Sequence, residues 1–133
     1  MAFFSIIIPV YNRIDEVLDL LESLASQSDK DFETILVEDG STERCEAVAL
    51  EYATTANAKY FYKENEGRSI ARNYGMERAQ GDYFLFFDSD CVIPPQYIAT
   101  LKSRLVEHPT DCFGGPDAAH DSFSTVQKAI NYS

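Results

Sequence analysis

The sequence predicts an α/β domain with a mostly parallel β-sheet flanked by helices. Three observations support this prediction: uninterrupted apolar runs of strand length, apolar stripes with helical spacing between them, and a regular alternation of the two. The 133 residues fit one domain, and a hydrophobic content of 45% indicates a globular one with a sizeable core. We therefore expect residues 1–133 to fit a single α/β domain.

The first half of the sequence contains two strands and two helices in alternation. A β-branched run over residues 3–10 predicts a buried first strand with Pro9 near its end. Residues 14–25 have apolar side chains at helical spacing, and Asn12 is the expected cap of that helix. Residues 32–37 predict a second strand, and a helical stripe over residues 45–52 follows a cap at Ser41 or Thr42.

The second half continues the same alternation. Residues 60–62 predict a short third strand, and residues 66–80 a third helix that Gly81 closes. The apolar run at 83–87 predicts a fourth strand that is buried on both faces. A helical stripe follows Pro94 and Pro95, and we expect a weak fifth strand at 112–113 and a last helix over 122–132.

Polar residues cluster directly after each of the first four predicted strands. In parallel sheets ligands bind outside the carboxyl ends of the strands, so we expect these clusters to share one site. The clusters are Pro9, Tyr11 and Asn12; Glu38 and Asp39; Asn65, Glu66 and Gly67; and Asp88, Ser89 and Asp90.

Asp88 and Asp90 are candidate metal ligands. Two carboxylates at the end of an apolar strand are costly unless something positive binds them. In extended backbone, residues i and i+2 point the same way, so both carboxylates can face one hard divalent cation, Mg²⁺ or Mn²⁺, with Ser89 turned aside. The alternative is a pair of solvated turn residues or a helix cap.

Asp39 and Tyr11 are candidate contacts to a nucleobase. A carboxylate only accepts hydrogen bonds at neutral pH, so Asp39 requires a base with an N–H edge, such as uracil, thymine or guanine. Tyr11 offers a stacking face. The alternatives are that Asp39 caps the following helix and that Tyr11 belongs to the core.

Arg68 and Arg72 are four residues apart and therefore lie on one face of the predicted third helix. Small neighbours favour close packing of Arg72 at the sheet edge, where a guanidinium suits a diphosphate. A cation at Asp88 and Asp90 would bind the same group, because Mg²⁺ and Mn²⁺ commonly bind carboxylates together with substrate phosphates. These residues together indicate a nucleoside diphosphate; the alternative for Arg68 is a solvated surface position.

Composition argues against several other functions. The 11 basic and 22 acidic residues give a net charge of −11, which disfavours nucleic acid and anionic membranes as partners. The 3 cysteines lack C-x-x-C spacing and no secretory or spanning segment is evident, so we expect a cytoplasmic protein. No Walker loop, G-x-G-x-x-G or H-E-x-x-H motif occurs, and His108 and His120 are expected at the surface.

Four ordered motifs resemble family 2 glycosyltransferases of the GT-A fold. They are SIIIPVYN at 5–12, ILVEDGST at 35–42, NEGRSIARNYG at 65–75 and DYFLFFDSD at 82–90. The resemblance implies a GT-A, Rossmann-like sheet that is truncated at its C-terminal end. It also implies metal-dependent transfer of a sugar, with inversion, from a nucleoside-diphosphate sugar, UDP-type favoured, to an acceptor hydroxyl.

The resemblance also assigns site residues. The metal is implied to bind Asp88 and Asp90, and Glu38 stands where the family more often has a second aspartate. The donor-binding residues that it implies are Pro9, Tyr11, Glu38, Asp39, Gly67, Arg72, Asp88 and Ser89. Many family members act at the cytoplasmic face of the inner membrane, which implies a carbohydrate or lipid-linked acceptor, a role in cell-wall or polysaccharide biosynthesis, and membrane association of the full-length protein.

The catalytic general base of such enzymes comes well after the D-x-D motif. We therefore expect it beyond Ser133, and we expect residues 1–133 to bind the donor without completing transfer. Asp117 and Asp121 are the weak candidates within the chain.

Two other interpretations stay open. The segment DSDCV at 88–92 also fits the nucleophile loop of haloacid-dehalogenase-like phosphatases, with Asp88 as the nucleophile. That loop usually opens its domain, whereas most of this chain precedes it. Alternatively, the acidic edge of an α/β domain binds only a cation or a partner and has no catalytic role.

Overall fold

The computed structural model describes residues 3–107. Strands β1 to β4 span Phe4–Val10, Phe32–Asp39, Ala58–Lys63 and Tyr83–Phe86. Helices α1 to α4 span Ile14–Ala25, Glu46–Glu51, Arg68–Arg78 and Tyr97–Glu107. The four strands are parallel and lie in the order β3-β2-β1-β4, so the predicted α/β fold with a parallel sheet is confirmed.

Helices cover both faces of the sheet. On one face, Phe4, Ile6 and Ile8 pack with the buried sides of α1 and α4, and all three are fully buried. On the other face, Ile7 and Ile35 pack with Ala71 and other residues of α3. Because both faces are covered, the middle residues of the two central strands, 6–8 of β1 and 35–37 of β2, are apolar without alternation.

Helix α3 approaches the sheet very closely at Gly75. A Cβ atom at this position would lie 2.6 Å from Cγ2 of Ile7 and 3.3 Å from Cγ2 of Val37. Ala71, one turn earlier, is fully buried. These small residues let the helix lie directly on β1 and β2, as the neighbours of Arg72 predict.

A buried polar network fixes the amino-terminal edge of the sheet. Glu33 is 1% exposed and accepts hydrogen bonds from Ser5 Oγ at 2.6 Å, Lys59 Nζ at 2.7 Å and the Gln80 backbone N–H at 2.6 Å. Burial alone would raise the pKa of Glu33, but these hydrogen bonds outweigh it and the pKa is lowered. Ser5 Oγ also accepts the N–H of Gly81, so the network holds the α3–β4 connection against the sheet.

Two predicted N-terminal helix caps are wrong. Asn12 has a positive φ of 50°, and its Oδ1 accepts the backbone N–H groups of Thr42 at 3.0 Å and Glu43 at 3.1 Å. Its own N–H donates to Ser41 Oγ at 2.8 Å. Helix α2 begins only at Glu46 and has no side-chain cap. Asn12, Ser41 and Thr42 therefore form hydrogen bonds between the loop after β1 and the loop after β2 instead of capping helices.

Helix α3 begins two residues later than predicted, and Gly81 does not close it. Ala79 occupies the C-terminal cap position in an extended conformation. Gly81 has a different role, because a Cβ atom there would lie 2.5 Å from Ser5 Oγ and 2.8 Å from the carbonyl oxygen of Phe3. The predicted fifth strand and last helix lie outside the described residues, and within residues 3–107 no helix has the length and apolar character needed to span a bilayer.

Candidate functional site

A cavity of about 430 Å³ opens at the carboxyl ends of the strands. Its volume is typical of small-molecule sites, and its position is where parallel α/β sheets bind ligands. Four segments of the chain supply the lining residues, which are Pro9, Val10, Tyr11, Arg13, Glu16, Asp39, Asn65, Arg68, Asp88, Ser89 and Asp90. At least one residue of each of the four predicted polar clusters therefore lines the same cavity.

The end of β1 contributes Pro9 and Tyr11. Pro9 lies within β1 and pairs in register with Val37 of β2. Tyr11 follows the strand and is 52% exposed, so it is not a core residue. An exposed ring in the cavity wall offers a face on which a planar group can stack.

Asp39 ends β2 and is almost completely buried, with 5% of its surface exposed. Its Oδ1 accepts the N–H of Glu66 at 2.9 Å, and its Oδ2 accepts the N–H of Gly67 at 3.1 Å. The ammonium of Lys63 lies 3.5 Å from Oδ1. Asp39 therefore does not cap α2. Two backbone N–H groups and the Lys63 ion pair hold it in one orientation, and because a carboxylate has about four acceptor positions, it keeps acceptor capacity for a ligand.

The segment before α3 is fixed against the end of β2. A Cβ atom on Gly40, whose φ is +75°, would lie 2.6 Å from the backbone nitrogen of Asn65. Asn65 Nδ2 donates to the backbone oxygen of Asp39 at 2.9 Å, and Asn65 lines the cavity. Gly67 does not line the cavity; its φ of 104° suits glycine, and its N–H contributes by orienting Asp39.

Glu38 does not line the cavity, although the resemblance implies a donor contact for it. Neighbouring residues of a strand point to opposite faces, and Glu38 is fully buried on the side away from Asp39. Its Oε1 accepts the backbone N–H of Cys45 and the hydroxyl of Tyr60, both at 2.8 Å. Burial and the Glu38 carboxylate raise the pKa of Cys45 to about 12 and also raise the pKa of Tyr60. The structure thus gives Glu38 a supporting role beneath the loop after β2.

Two arginines of α3 pair with Asp88. Arg68 Nη1 lies 3.7 Å and Arg72 Nη2 lies 3.6 Å from the same atom, Asp88 Oδ1. The Arg68 side chain is 65% exposed and lines the cavity. The Arg72 side chain is mostly buried, and its guanidinium carbon lies 5.9 Å from the ring centre of Phe86. The predicted helix face therefore directs both guanidinium groups at Asp88; Arg68 lines the cavity, whereas Arg72 is not among its lining residues.

Asp88, Ser89 and Asp90 form a turn rather than extended backbone. Strand β4 ends before them, and the N–H of Cys91 donates to the backbone oxygen of Asp88 at 3.1 Å. All three residues line the cavity, so Ser89 is not turned aside; its Oγ donates to Glu16 Oε1 at 3.1 Å. Between residues 3 and 107, no group of three or more His, Cys, Asp or Glu side chains is arranged to hold a metal. A cation at Asp88 and Asp90 would need additional oxygen ligands from water or substrate.

Arg13 and Glu16 also line the cavity, and the sequence analysis did not assign them to it. They lie at the start of α1, where Arg13 Nε is 3.4 Å from Glu16 Oε1. The position of Arg13 and Glu16 directly after the first strand could have predicted this, because the helix that follows a strand must begin at the same edge of the sheet.

Comparison with known proteins identifies the family. Residues 5–129 match the family described as Glycosyl transferase family 2. The chain belongs to this family. Membership of glycosyl transferase family 2 confirms the resemblance seen in the four motifs. It also favours a glycosyltransferase over the phosphatase and over the non-catalytic binding domain.

Curated relatives agree with this assignment. The chain is 34% identical to an uncharacterized glycosyltransferase of Haemophilus influenzae, over 95% of this chain and 44% of that protein. It is 36% identical to the uncharacterized glycosyltransferase YibD of Escherichia coli, over 80% of this chain and 31% of YibD. Glycosyltransferase GlyA of Streptococcus pneumoniae is 35% identical, over 80% of this chain and 16% of GlyA. The chain thus spans less than half the length of each of these relatives.

Solved structures show the same fold. The structure of Staphylococcus aureus TarS residues 1–349 in complex with UDP-GlcNAc matches with a TM-score of 0.77 and 29% identity, over 89% of this chain and 36% of that chain. Mannosyltransferase PcManGT of Pyrobaculum calidifontis, solved with GDP-Man and Mn²⁺, matches with a TM-score of 0.67 and 20% identity, over 88% of this chain and 37% of that chain. These matches confirm the GT-A-like α/β fold of this family 2 chain.

Proposed function

We propose that this chain binds a nucleoside-diphosphate sugar, with UDP as the favoured nucleotide, and that the protein transfers the sugar with inversion to an acceptor hydroxyl. The observation that carries the proposal is the single cavity that Asp39, Arg68, Asp88 and Asp90 line together. In this cavity Asp39 offers a hydrogen-bond acceptor for a nucleobase, and Arg68 offers a positive charge for a diphosphate. Asp88 and Asp90 offer two carboxylates for a metal ion. Family membership supports sugar transfer in general.

The base would bind between Tyr11 and Asp39. Asp39 keeps acceptor capacity beyond its two backbone hydrogen bonds and the Lys63 ion pair, and a base that offers an N–H can use it. Uracil and guanine both offer such an edge. The TarS structures with UDP-GlcNAc and with UDP, at 29% identity, support uracil.

Asp88 and Asp90 fit a divalent cation. They are two carboxylates on one turn that lines the cavity, and Mg²⁺ or Mn²⁺ commonly takes one or two carboxylates together with substrate phosphates. When bound, the cation would supply positive charge to the leaving diphosphate. Arg72 and Ser89 would orient that diphosphate from the protein side.

We further propose that this chain binds the donor without completing transfer. Transfer requires a general base on the acceptor. Among the described lining residues, Glu16 is engaged by Ser89 and Arg13 and Asp39 by backbone N–H groups, and Asp88 and Asp90 are the proposed metal ligands. Sugar transfer by the purified chain to an added acceptor, abolished by Asp117→Asn or Asp121→Asn, would contradict this part of the proposal.

The acceptor and the location are proposed from the resemblance. They comprise a carbohydrate or lipid-linked acceptor, a role in cell-wall or polysaccharide biosynthesis, and action in the cytoplasm with the full-length protein at the cytoplasmic face of the membrane. Cys45 and Cys91, the two described cysteines, are unbridged, which agrees with a reducing compartment. Fractionation of the full-length protein between membrane and cytosol tests the location.

Calorimetric titration with UDP tests the donor site. We expect UDP to bind about 5- to 150-fold more tightly with Mn²⁺ than with EDTA, the usual range of coupling between two ligands. Asp90→Ala should remove this difference. Asp82→Ala is the matched control, because it removes an equal charge from the opposite end of β4. Equal affinity for UDP with Mn²⁺ and with EDTA in the unmodified chain would overturn the proposed metal dependence.

A further inference from the structure

We propose that Arg68 and Arg72 couple the two ligands of the donor site, so that a diphosphate must draw them from Asp88 before a divalent cation binds there tightly. The inference rests on the proposed function and deepens it by naming the side chains that make nucleotide and cation binding cooperative.

Positive charge is crowded at one oxygen of Asp88. Both guanidinium groups lie within 3.7 Å of Asp88 Oδ1. A divalent cation that binds Asp88 would approach the same oxygen and would be repelled by both arginines. With the arginines in this position, Asp88 is a poor ligand for a cation.

The ion pairs of Asp88 with Arg68 and Arg72 can be exchanged. Distances of 3.6 and 3.7 Å exceed the range of good N–H···O hydrogen bonds, so the pairs are held mainly by charge. The side chains of Arg68 and Asp88 are 65% and 51% exposed, and exposed pairs of this kind are weak. A stronger anion can therefore draw the exposed Arg68 guanidinium from the carboxylate, and the 3.6 Å separation of the mostly buried Arg72 from the same oxygen leaves that pair loose as well.

A nucleoside diphosphate is an anion that can compete with Asp88 for the two arginines. Guanidinium groups bind phosphate oxygens through two parallel hydrogen bonds, which are stronger than the loose pairs with Asp88. Once the arginines contact the diphosphate, Asp88 is released to join Asp90 on the cation. By linkage the effect is reciprocal, so the cation strengthens diphosphate binding by the same factor.

Arg13 provides a matched control within the same cavity. Like Arg68 it lines the cavity and is largely exposed, with 59% of its side chain accessible. Its ion pair, however, is with Glu16 and not with Asp88. Arg13→Gln and Arg68→Gln therefore remove the same charge from the same cavity, and only the second removes a competitor from the cation's carboxylate.

The direct test measures binding of Mn²⁺ alone to the purified chain, by electron paramagnetic resonance of the free ion, with circular dichroism to verify folding. Relative to Arg13→Gln, we expect Arg68→Gln to bind Mn²⁺ on the order of two- to five-fold more tightly, the factor that corresponds to the loss of one exposed ion pair. Equal affinities in the two variants, or weaker binding by Arg68→Gln, would overturn the inference.

A second measurement separates this inference from the proposed function. The factor by which Mn²⁺ strengthens UDP binding, corrected for the Mn²⁺–UDP complex in solution, should be smaller in Arg68→Gln than in Arg13→Gln. If both variants keep the full factor, the coupling role of Arg68 is wrong while the donor site stands. If the unmodified chain binds no UDP under either condition, the proposed function fails, and the titration with Mn²⁺ alone still decides whether Arg68 competes for Asp88.

Discussion

Replacing Tyr60 by Phe tests whether Glu38 serves the fold rather than the donor site. The Tyr60 hydroxyl donates to Glu38 Oε1 at 2.8 Å, and the carboxylate is fully buried. A hydrogen bond to a charged group contributes about 1.5–3 kcal/mol. Because Tyr60 is only partly buried, water replaces some of the loss, and we expect the free energy of unfolding to fall by about 1.5–2 kcal/mol, or about 5–10 °C in Tm.

Urea denaturation followed by circular dichroism measures this loss. Tyr62→Phe is the matched control on the same strand. The Tyr62 ring contacts Arg44 and the variant retains this ring, so we expect the free energy of unfolding to change by less than about 0.5 kcal/mol. A double-mutant cycle with Glu38→Gln should show that Tyr60→Phe costs less once the carboxylate is gone. Equal losses of stability in the two tyrosine variants, or a loss of UDP binding in Glu38→Gln as large as in Asp39→Asn, would refute the structural role of Glu38.

Three further predictions concern the core and the buried titratable groups. Gly75→Ala should lower the free energy of unfolding by up to about 2 kcal/mol, because overpacking against β1 costs about 1–3 kcal/mol and the higher helix propensity of alanine returns about 1 kcal/mol. The control is Ser69→Ala at an exposed position of the same helix, and a stability of Gly75→Ala equal to or above that of the unmodified chain would contradict the close approach. Iodoacetamide should alkylate Cys45 far more slowly than Cys91 at pH 8, because burial and the Glu38 carboxylate raise the pKa of Cys45 to about 12. Peptide mapping measures both alkylation rates, and equal rates would contradict the prediction. The pKa of Glu33 is lowered from its ordinary 4.5, so its contribution to the free energy of unfolding is present above that pH and is lost as the pH falls further. Glu33→Gln should therefore flatten the acid side of the plot of unfolding free energy against pH, and an unchanged plot would refute this prediction.

The strands and helices within residues 3–107 could be predicted because their signals are local. An apolar run or a helical stripe is visible within about ten residues of sequence. The caps could not be predicted in the same way. Asn12 has the side chain of a helix cap, but hydrogen bonds to Ser41, Thr42 and Glu43, about 30 residues away, decide its conformation. Tertiary contacts between the loops after β1 and β2 therefore outweigh the local preference of Asn12 for a helix-cap position.

The shared edge of the candidate site could also be predicted, because the carboxyl ends of parallel strands must meet. Which side chain faces the cavity could not be predicted, since it depends on where each strand ends. Strand β2 continues through Asp39, two residues beyond the predicted end, so the alternation of the strand turns Glu38 inward and leaves Asp39 at the cavity. Strand β4 ends early, and the Asp88–Asp90 segment becomes a turn in which Ser89 also reaches the cavity.

The cavity is assembled from four stretches of chain between residues 9 and 90, and this has a thermodynamic consequence. No single stretch retains the site once the sheet is lost, so a ligand of the cavity binds the folded chain and not the unfolded one. Such a ligand adds about 2.7 kcal/mol to the unfolding free energy when its free concentration is 100 times its Kd. That gain exceeds the expected loss in Tyr60→Phe, so saturating ligand should restore the melting temperature of that variant. A thermal melt of this chain is therefore also a measurement of what occupies its cavity.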